Sequence, residues 1–441
     1  MTQRSDLDAS TGTLLLATLA VAVAFASWGL FAVVGVDIRG SLGLSQTEFG
    51  FLLASPMLFG ALLCVPIGML AERWGGKRTM LVCLSALAPV LLGLSFARHF
   101  SGFLLAGAGL GFAAGLFCAG LPYTAAFSRN GREGFSLGLF GSGMLGAGIT
   151  YLVAPMAAEA YGWRTAPLIY TVLVLVVTLL FWMMAEDDAP ERSGKHSSVR
   201  EQLSTLIQPQ VWQLCLYYSF VFGGFVALVL WLPDYMAAHY GIPLKTAAML
   251  SLVFTIPGAL TQLIGGLLAD IGGARQVNWW VFWICLVALF FLSYPPSTIT
   301  VHGIEQDLQL NIHMPLPVFL VLIMVTGIAM GFGKGSVLRL AFNYYPDRLG
   351  MVGGAMVAFG GLMGFILPVL FGLGNDLIGV RSATFMLLYG LLALCMVVMY
   401  LGTRIEEHHR RLARAREDEF MQYTAPLSQA MRSSTVTGRR S

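Results

Sequence analysis

The chain has 441 residues, of which 57% are hydrophobic and only 11% charged, with a formal net charge of +3 and a mean hydropathy of +0.75. So few charges exclude a soluble domain of this size, whose surface must be covered with polar groups. The small positive excess reports loop placement rather than nucleic-acid binding.

Apolar stretches of about 20 residues, enough to cross a bilayer, recur along the whole chain. They predict helices at 13–36, 48–71, 79–97, 102–125, 135–158, 164–184, 211–237, 246–269, 277–294, 315–341, 351–373 and 380–402. The expected fold is all-α and integral to the membrane, with twelve transmembrane helices in two pseudo-symmetric six-helix halves. The first stretch is too long for a signal h-region and lacks a basic n-region, so it is expected to stay as a span. Between helices 6 and 7 the charged, Ser- and Pro-containing run from Ala185 to Ser198, with the amphipathic stretch to Pro209, breaks the apolar rhythm. The chain therefore divides into an N-terminal half (1–184), a linker (185–209), a C-terminal half (210–403) and a tail (404–441). The loop from Tyr294 to Met314 has no Lys or Arg.

Charge placement predicts orientation. Of the 26 Lys and Arg, only Arg39, Arg98, Arg164, Lys245 and Arg381 fall on one side, while Lys334 and Arg339 lie inside a helix. The rest gather on the other side, which the positive-inside rule makes cytoplasmic. Both termini, the linker and the tail are then cytoplasmic and the 294–314 loop external, in an inner membrane of bacterial type or a membrane derived from it. The basic tail is interrupted by acids and reads as a solvated helix extension.

The six cysteines sit one per helix with no CxxC, a pattern of small apolar side chains rather than disulfides or a metal site. No cofactor or metal is expected, and a monomer in the lipid bilayer is the expected state.

The second half repeats the first. Gly60-Ala-Leu-Leu-Cys64-Val-Pro-Ile-Gly68-Met-Leu-Ala-Glu72 returns as Gly258-Ala-Leu-Thr-Gln262-Leu-Ile-Gly-Gly266-Leu-Leu-Ala-Asp270. Each copy runs into a short loop of glycines and cations: Arg73, Gly75, Gly76, Lys77 and Arg78 in one, Gly273 and Arg275 in the other. Internal repetition at this scale marks a two-half transporter. An acid at a helix end beside fixed cations can act as a charge latch that forms in one conformation and opens in the other. Helices 5 and 11 are glycine-rich, with Gly143 and Gly146 repeated as Gly361 and Gly364. Any one such glycine reads as tight packing; the paired clusters read as a moving interface.

The loop Gly68-x-Leu-Ala-Glu72-Arg73-x-Gly75-Gly76-Lys77-Arg78 resembles the signature loop of the major facilitator superfamily. Further stretches resemble its nitrate/nitrite porter family over nearly the whole chain. They include Phe25-Ala-Ser-Trp28, Gly138-Leu-Phe-Gly-Ser-Gly143, Trp231-Leu-Pro-Asp-Tyr235, Gly331-Phe-Gly-Lys334-Gly and Gly360-Gly-Leu-Met-Gly-Phe365-Ile-Leu-Pro368. The resemblance implies alternating access around a central site, with nitrate and/or nitrite as substrate. It also implies an arginine in each of helices 2 and 8, at positions held here by Cys64 and Gln262, and an asparagine where Met144 stands.

Lys334 is then the cation left for the path, facing it or snorkelling out; Arg339 is read as snorkelling or interfacial. Gln262, Lys334, Cys64, Tyr217 and Phe25 are the candidate substrate contacts. Trp28, Tyr123, Tyr218 and Phe220 are further aromatics for the cavity wall. No Asp, Glu or His lies deep in a predicted helix, which favours exchange over proton symport. A changed cargo on the same fold (another small anion, or an iron-related solute as in magnetosome-membrane members) is the alternative, and a non-transporting sensor or scaffold the third. An enzyme is not expected.

Overall fold

A computed structural model describes residues 2–44, 46–128, 131–187, 199–302 and 307–405. Residues 188–198 of the predicted linker and nearly all of the predicted tail (406–441) lie outside the described residues, as do Arg129, Arg192 and Lys195. Among the described residues, twelve helices are long and apolar enough to cross a membrane. Spans 1 to 6 are Thr11–Gly35, Ser55–Trp74, Gly76–Phe96, Phe100–Ala126, Glu133–Tyr161 and Thr165–Met184. Spans 7 to 12 are Pro209–Tyr240, Lys245–Gly272, Ala274–Leu292, Leu316–Tyr344, Pro346–Asn375 and Ala383–Ile405. Helices are the form available to these stretches, because in hydrocarbon every backbone N–H and C=O must be satisfied within the segment.

Met1–Leu392 makes one compact unit and Ala393–Ser441 a second. The described part of the second is helical to Ile405.

Span 6 shows how these helices are sided. Ala166, Tyr170, Val174, Val177 and Phe181 are buried, at helical spacing, while Val172, Leu175, Val176, Leu179 and Trp182 are exposed. Both faces are apolar, as they must be when the outer face meets lipid rather than water. Lipid gives no hydrophobic drive to helix association, so close van der Waals packing at small residues has to supply it.

The loop after span 9 departs from the expected irregular connection. Ser297–His302 and Asp307–Ile312 pair as an antiparallel hairpin, β1 and β2, with Ser297 opposite Ile312 and His302 opposite Asp307. The Thr-Ile-Thr-Val run carries the β-branched residues that favour an extended pairing.

The two signature loops share a backbone device. Gly75 and Gly273 precede spans 3 and 9 at φ 93° and φ 85°, a conformation open to glycine and costly for any residue with a Cβ. Three spans break helical regularity at mid-depth. Gly111 and Gly143 donate to carbonyls three residues back, and Ser219–Gly224 in span 7 is a π-helical turn. All three irregularities border the cavity described next.

Candidate functional site

At the end carrying the signature loops, span 2 meets span 11 and span 8 meets span 5 with no room between backbones. A Cβ on Gly68 would strike the carbonyl oxygen of Gly350, and one on Gly266 the carbonyl oxygen of Gly134. One turn deeper, a Cβ on Gly354 would lie 2.6 Å from the Cys64 carbonyl oxygen and one on Gly138 2.7 Å from that of Gln262. The repeat seen in sequence is thus a repeat of contacts.

Acids close the same two seams. The Met351 amide donates to Glu72 at 2.8 Å, while the Gly134 and Phe135 amides both donate to Asp270 at 2.8 Å. Each carboxylate caps the N-terminus of a helix from the other half, where unpaired amides and the helix dipole favour a negative charge. What backs each cap differs. Arg339 bridges Asp270 at 2.8 Å and Glu133 at 3.0 Å, with the three side chains 3–14% exposed. Glu72 instead accepts from the Gln202 amide at 3.0 Å. Gln202 belongs to the linker helix Val199–Thr205, and Tyr345 ties the chain after it by donating to Gln208 at 2.7 Å.

Lys77 pairs with Asp187, at the start of the linker, at 3.0 Å, and Arg275 donates to the Tyr344 hydroxyl. Arg73 and Arg78 are exposed. It is the acids that cross. Arg339, read from sequence as snorkelling or interfacial, is instead half-buried in the seam, between Asp270 and Glu133. Gly143 and Gly146 pack against the span 1 backbone at Thr18 and Ala22 of their own half. Gly361 lines the cavity, and Gly364 packs against Met57 and Val226.

Beyond these seams, toward the hairpin end, lies a cavity of about 120 Å³. One water needs only about 10–15 Å³ on such a measure, so it accommodates a small solute with water. Phe25 and Trp28 of span 1, Cys64 of span 2, and Met144 and Tyr151 of span 5 form one wall. Phe222, Phe225, Thr255, Ala259 and Lys334 form the opposite one. Among the described lining residues, Lys334 is the one charged group. It is 2% exposed, and its Nζ sits 3.8 Å from the centre of the Phe225 ring. That is a cation–π contact, and no carboxylate pairs with it among the described residues. Gly258 makes it possible: a Cβ there would collide with Phe225.

Of the candidate contacts, Lys334, Cys64 and Phe25 meet on the wall. Gln262 does not: it lies about a turn beyond Ala259, toward the seams, fully buried against Gly141. Neither its amide nitrogen nor its oxygen has a hydrogen-bond partner among the described residues. Tyr217 packs on Phe282 instead of the cavity, Phe220 also packs on Phe282, and Tyr123 donates to the Glu186 carbonyl. Tyr218 stacks behind Phe222. Phe222 and Phe225, within and just after the π-helical turn, take the place on the wall expected of Tyr217, Tyr218 and Phe220. The adjacent pair Gly223-Gly224 was the available signal for such a break. All six cysteines are buried, and among the described residues no cluster of His, Cys, Asp or Glu could hold a metal ion.

Residues 16–304 match the family described as "Major Facilitator Superfamily". The chain is 34% identical over 405 residues to a "Probable nitrate/nitrite antiporter NarK1" of Thermus thermophilus, covering 88% of this chain and 90% of that one. It is 27% identical over 402 residues to a "Nitrite extrusion protein" of Bacillus subtilis, covering 90% and 96%. Among solved structures, the proton:xylose symporter XylE aligns with a TM-score of 0.73 at 13% identity, over 90% of this chain and 96% of that one. The transporter FucP in its outward conformation aligns at 0.69 and 16% identity, over 89% and 99%.

Proposed function

Because the chain belongs to the major facilitator superfamily, and is a membrane transporter rather than an enzyme, we propose that it exchanges nitrate and nitrite by alternating access. Lys334 is the cation that meets the anion. A buried ammonium on the wall of a cavity, without a carboxylate beside it, needs a counter-charge from elsewhere. This single observation carries the reading, and the names of the two curated relatives point to the same substrates.

In this proposal the signature-loop end is cytoplasmic, as the Lys and Arg distribution favours, and the membrane is an inner membrane of bacterial type. The conformation is then outward-facing, with the cytoplasmic seams shut. Opening inward parts span 2 from span 11 and span 5 from span 8, releasing the caps on Glu72 and Asp270. The halves rock as 1–184 and 210–403 about the 185–209 linker. Gln262 becomes a second contact when span 8 leaves Gly141, because its amide then has a partner to gain. Cys64 and Phe25 shape the wall without binding charge. The described wall carries no carboxylate or imidazole for a proton relay, which supports exchange over proton symport. One chain contains the whole cavity, so a monomer suffices.

The test is nitrate uptake into proteoliposomes of the purified full chain loaded with nitrite, and the reverse. Saturable exchange is expected, with Lys334→Ala at background and Lys334→Arg retaining part of the flux. An inactive wild type, beside a control porter active in the same vesicles, overturns the proposal.

A further inference from the structure

We infer that this cavity selects its anion by charge and ease of dehydration rather than by shape, and so takes weakly hydrated monovalent anions such as iodide, thiocyanate and perchlorate alongside planar oxyanions. The inference rests on the anion reading of Lys334 and deepens it. Three features of the wall carry it.

The first is charge. One ammonium neutralises one negative charge. A divalent anion such as sulfate would keep an unpaired charge against Phe25, Phe222, Phe225 and Met144, and an unpaired charge in apolar surroundings is strongly disfavoured.

The second is the scarcity of directional donors. The two positions where a pair of planar guanidiniums would read an oxyanion by geometry hold Cys64 and Gln262. Cys64 is a weak donor, and the Gln262 amide is packed against Gly141 behind the wall. The Thr255 hydroxyl is already committed to the Ser251 carbonyl. Apart from the Trp28 indole N–H and the Tyr151 hydroxyl on the facing wall, an anion that sheds water here finds few donors, so the anions with least hydration to lose are favoured over chloride and fluoride.

The third is the shape of the cation. Lys334 is a compact point charge on a flexible stem, resting on the Phe225 ring, and it imposes no planar fork on its partner.

The experiment uses proteoliposomes of the full chain, with flux in protein-free vesicles subtracted. Radioiodide uptake is measured directly, and perchlorate, thiocyanate, chloride and sulfate are tested as competitors of nitrate uptake. Expected is saturable iodide uptake, with perchlorate and thiocyanate inhibiting nitrate at concentrations about tenfold below chloride, a difference of about 1.4 kcal/mol, and no inhibition by sulfate. Lys334→Gln abolishes both fluxes. Lys334→Arg, which restores a planar fork, raises the preference for nitrate over iodide. Robust nitrate flux with iodide and perchlorate inert, or with chloride or sulfate competing equally well, overturns the inference and leaves the nitrate reading standing. Iodide flux without nitrate flux sinks the nitrate reading and supports the filter. No saturable flux of either anion overturns both.

Discussion

The seam between spans 2 and 11 and the seam between spans 8 and 5 are the same structure built twice, with different chemistry behind it. Gly68 meets Gly350 as Gly266 meets Gly134, and Glu72 takes the Met351 amide as Asp270 takes that of Phe135. Behind Asp270 stand Arg339 and Glu133, nearly dry. Behind Glu72 stands the neutral amide of Gln202, borrowed from the linker helix. Duplication has preserved the contacts set by backbone shape and helix ends, while the side chains supporting them have diverged. The difference predicts one seam governed by buried charge and another that senses the linker.

The glycine contacts give the largest expected effect. Gly266→Val places side-chain atoms where the Gly134 carbonyl sits, so the seam cannot shut. Exchange should fall to background and cysteines introduced at this end should stay open to labelling; a variant that still transports would show that the contact is not part of the cycle.

The acids come next, and they test the asymmetry directly. Asp270→Ala removes one of the two carboxylates on Arg339 and the acceptor of the Gly134 and Phe135 amides in a largely buried site, a loss approaching the about 3–5 kcal/mol seen when one partner of a buried pair is removed. Glu72→Ala unpairs the Met351 and Gln202 amides and removes a more distant attraction to Arg348, about 1–3 kcal/mol. Thermal unfolding of the purified proteins should rank them so. Equal losses would abolish the distinction between the seams.

A double-mutant cycle sharpens it further. Arg339→Gln alone leaves two acids facing each other, whereas Arg339→Gln with Glu133→Gln removes part of that repulsion. The coupling between them should be about 0.5–3 kcal/mol, and additivity would mean that the bridge is energetically idle. Gln202→Ala is the mildest change, about 1 kcal/mol, and acts only on the span 2 side. Its expected mark is faster labelling at the Glu72 seam with no change at the Asp270 seam.

Much of the fold was legible in the chain. The predicted helix over 164–184 became the span Thr165–Met184, because bilayer thickness sets the length of an apolar run whatever surrounds it. Lys334 was legible as an anomaly, a cation inside an apolar helix, although only the structure places it on the cavity wall. Phe222 and Phe225 were not legible as wall residues, because they lie within and just after a π-helical turn that no periodicity announces. Nor was Arg339 as a bridge: its partners are 69 and more residues away, on two different spans.

The sequence by itself determined the number of spans, the internal repeat, the glycines of the signature loops and the neutral residues at Cys64 and Gln262. These follow from local chemistry and from the bilayer as solvent. Only the tertiary structure decided that Glu72 and Asp270 cap helices of the opposite half, that Lys77 pairs with Asp187 and Arg275 with Tyr344, and that Lys334 rests on Phe225. Such contacts join segments far apart in the chain, and they exist in the conformation in which the halves meet at the signature-loop end.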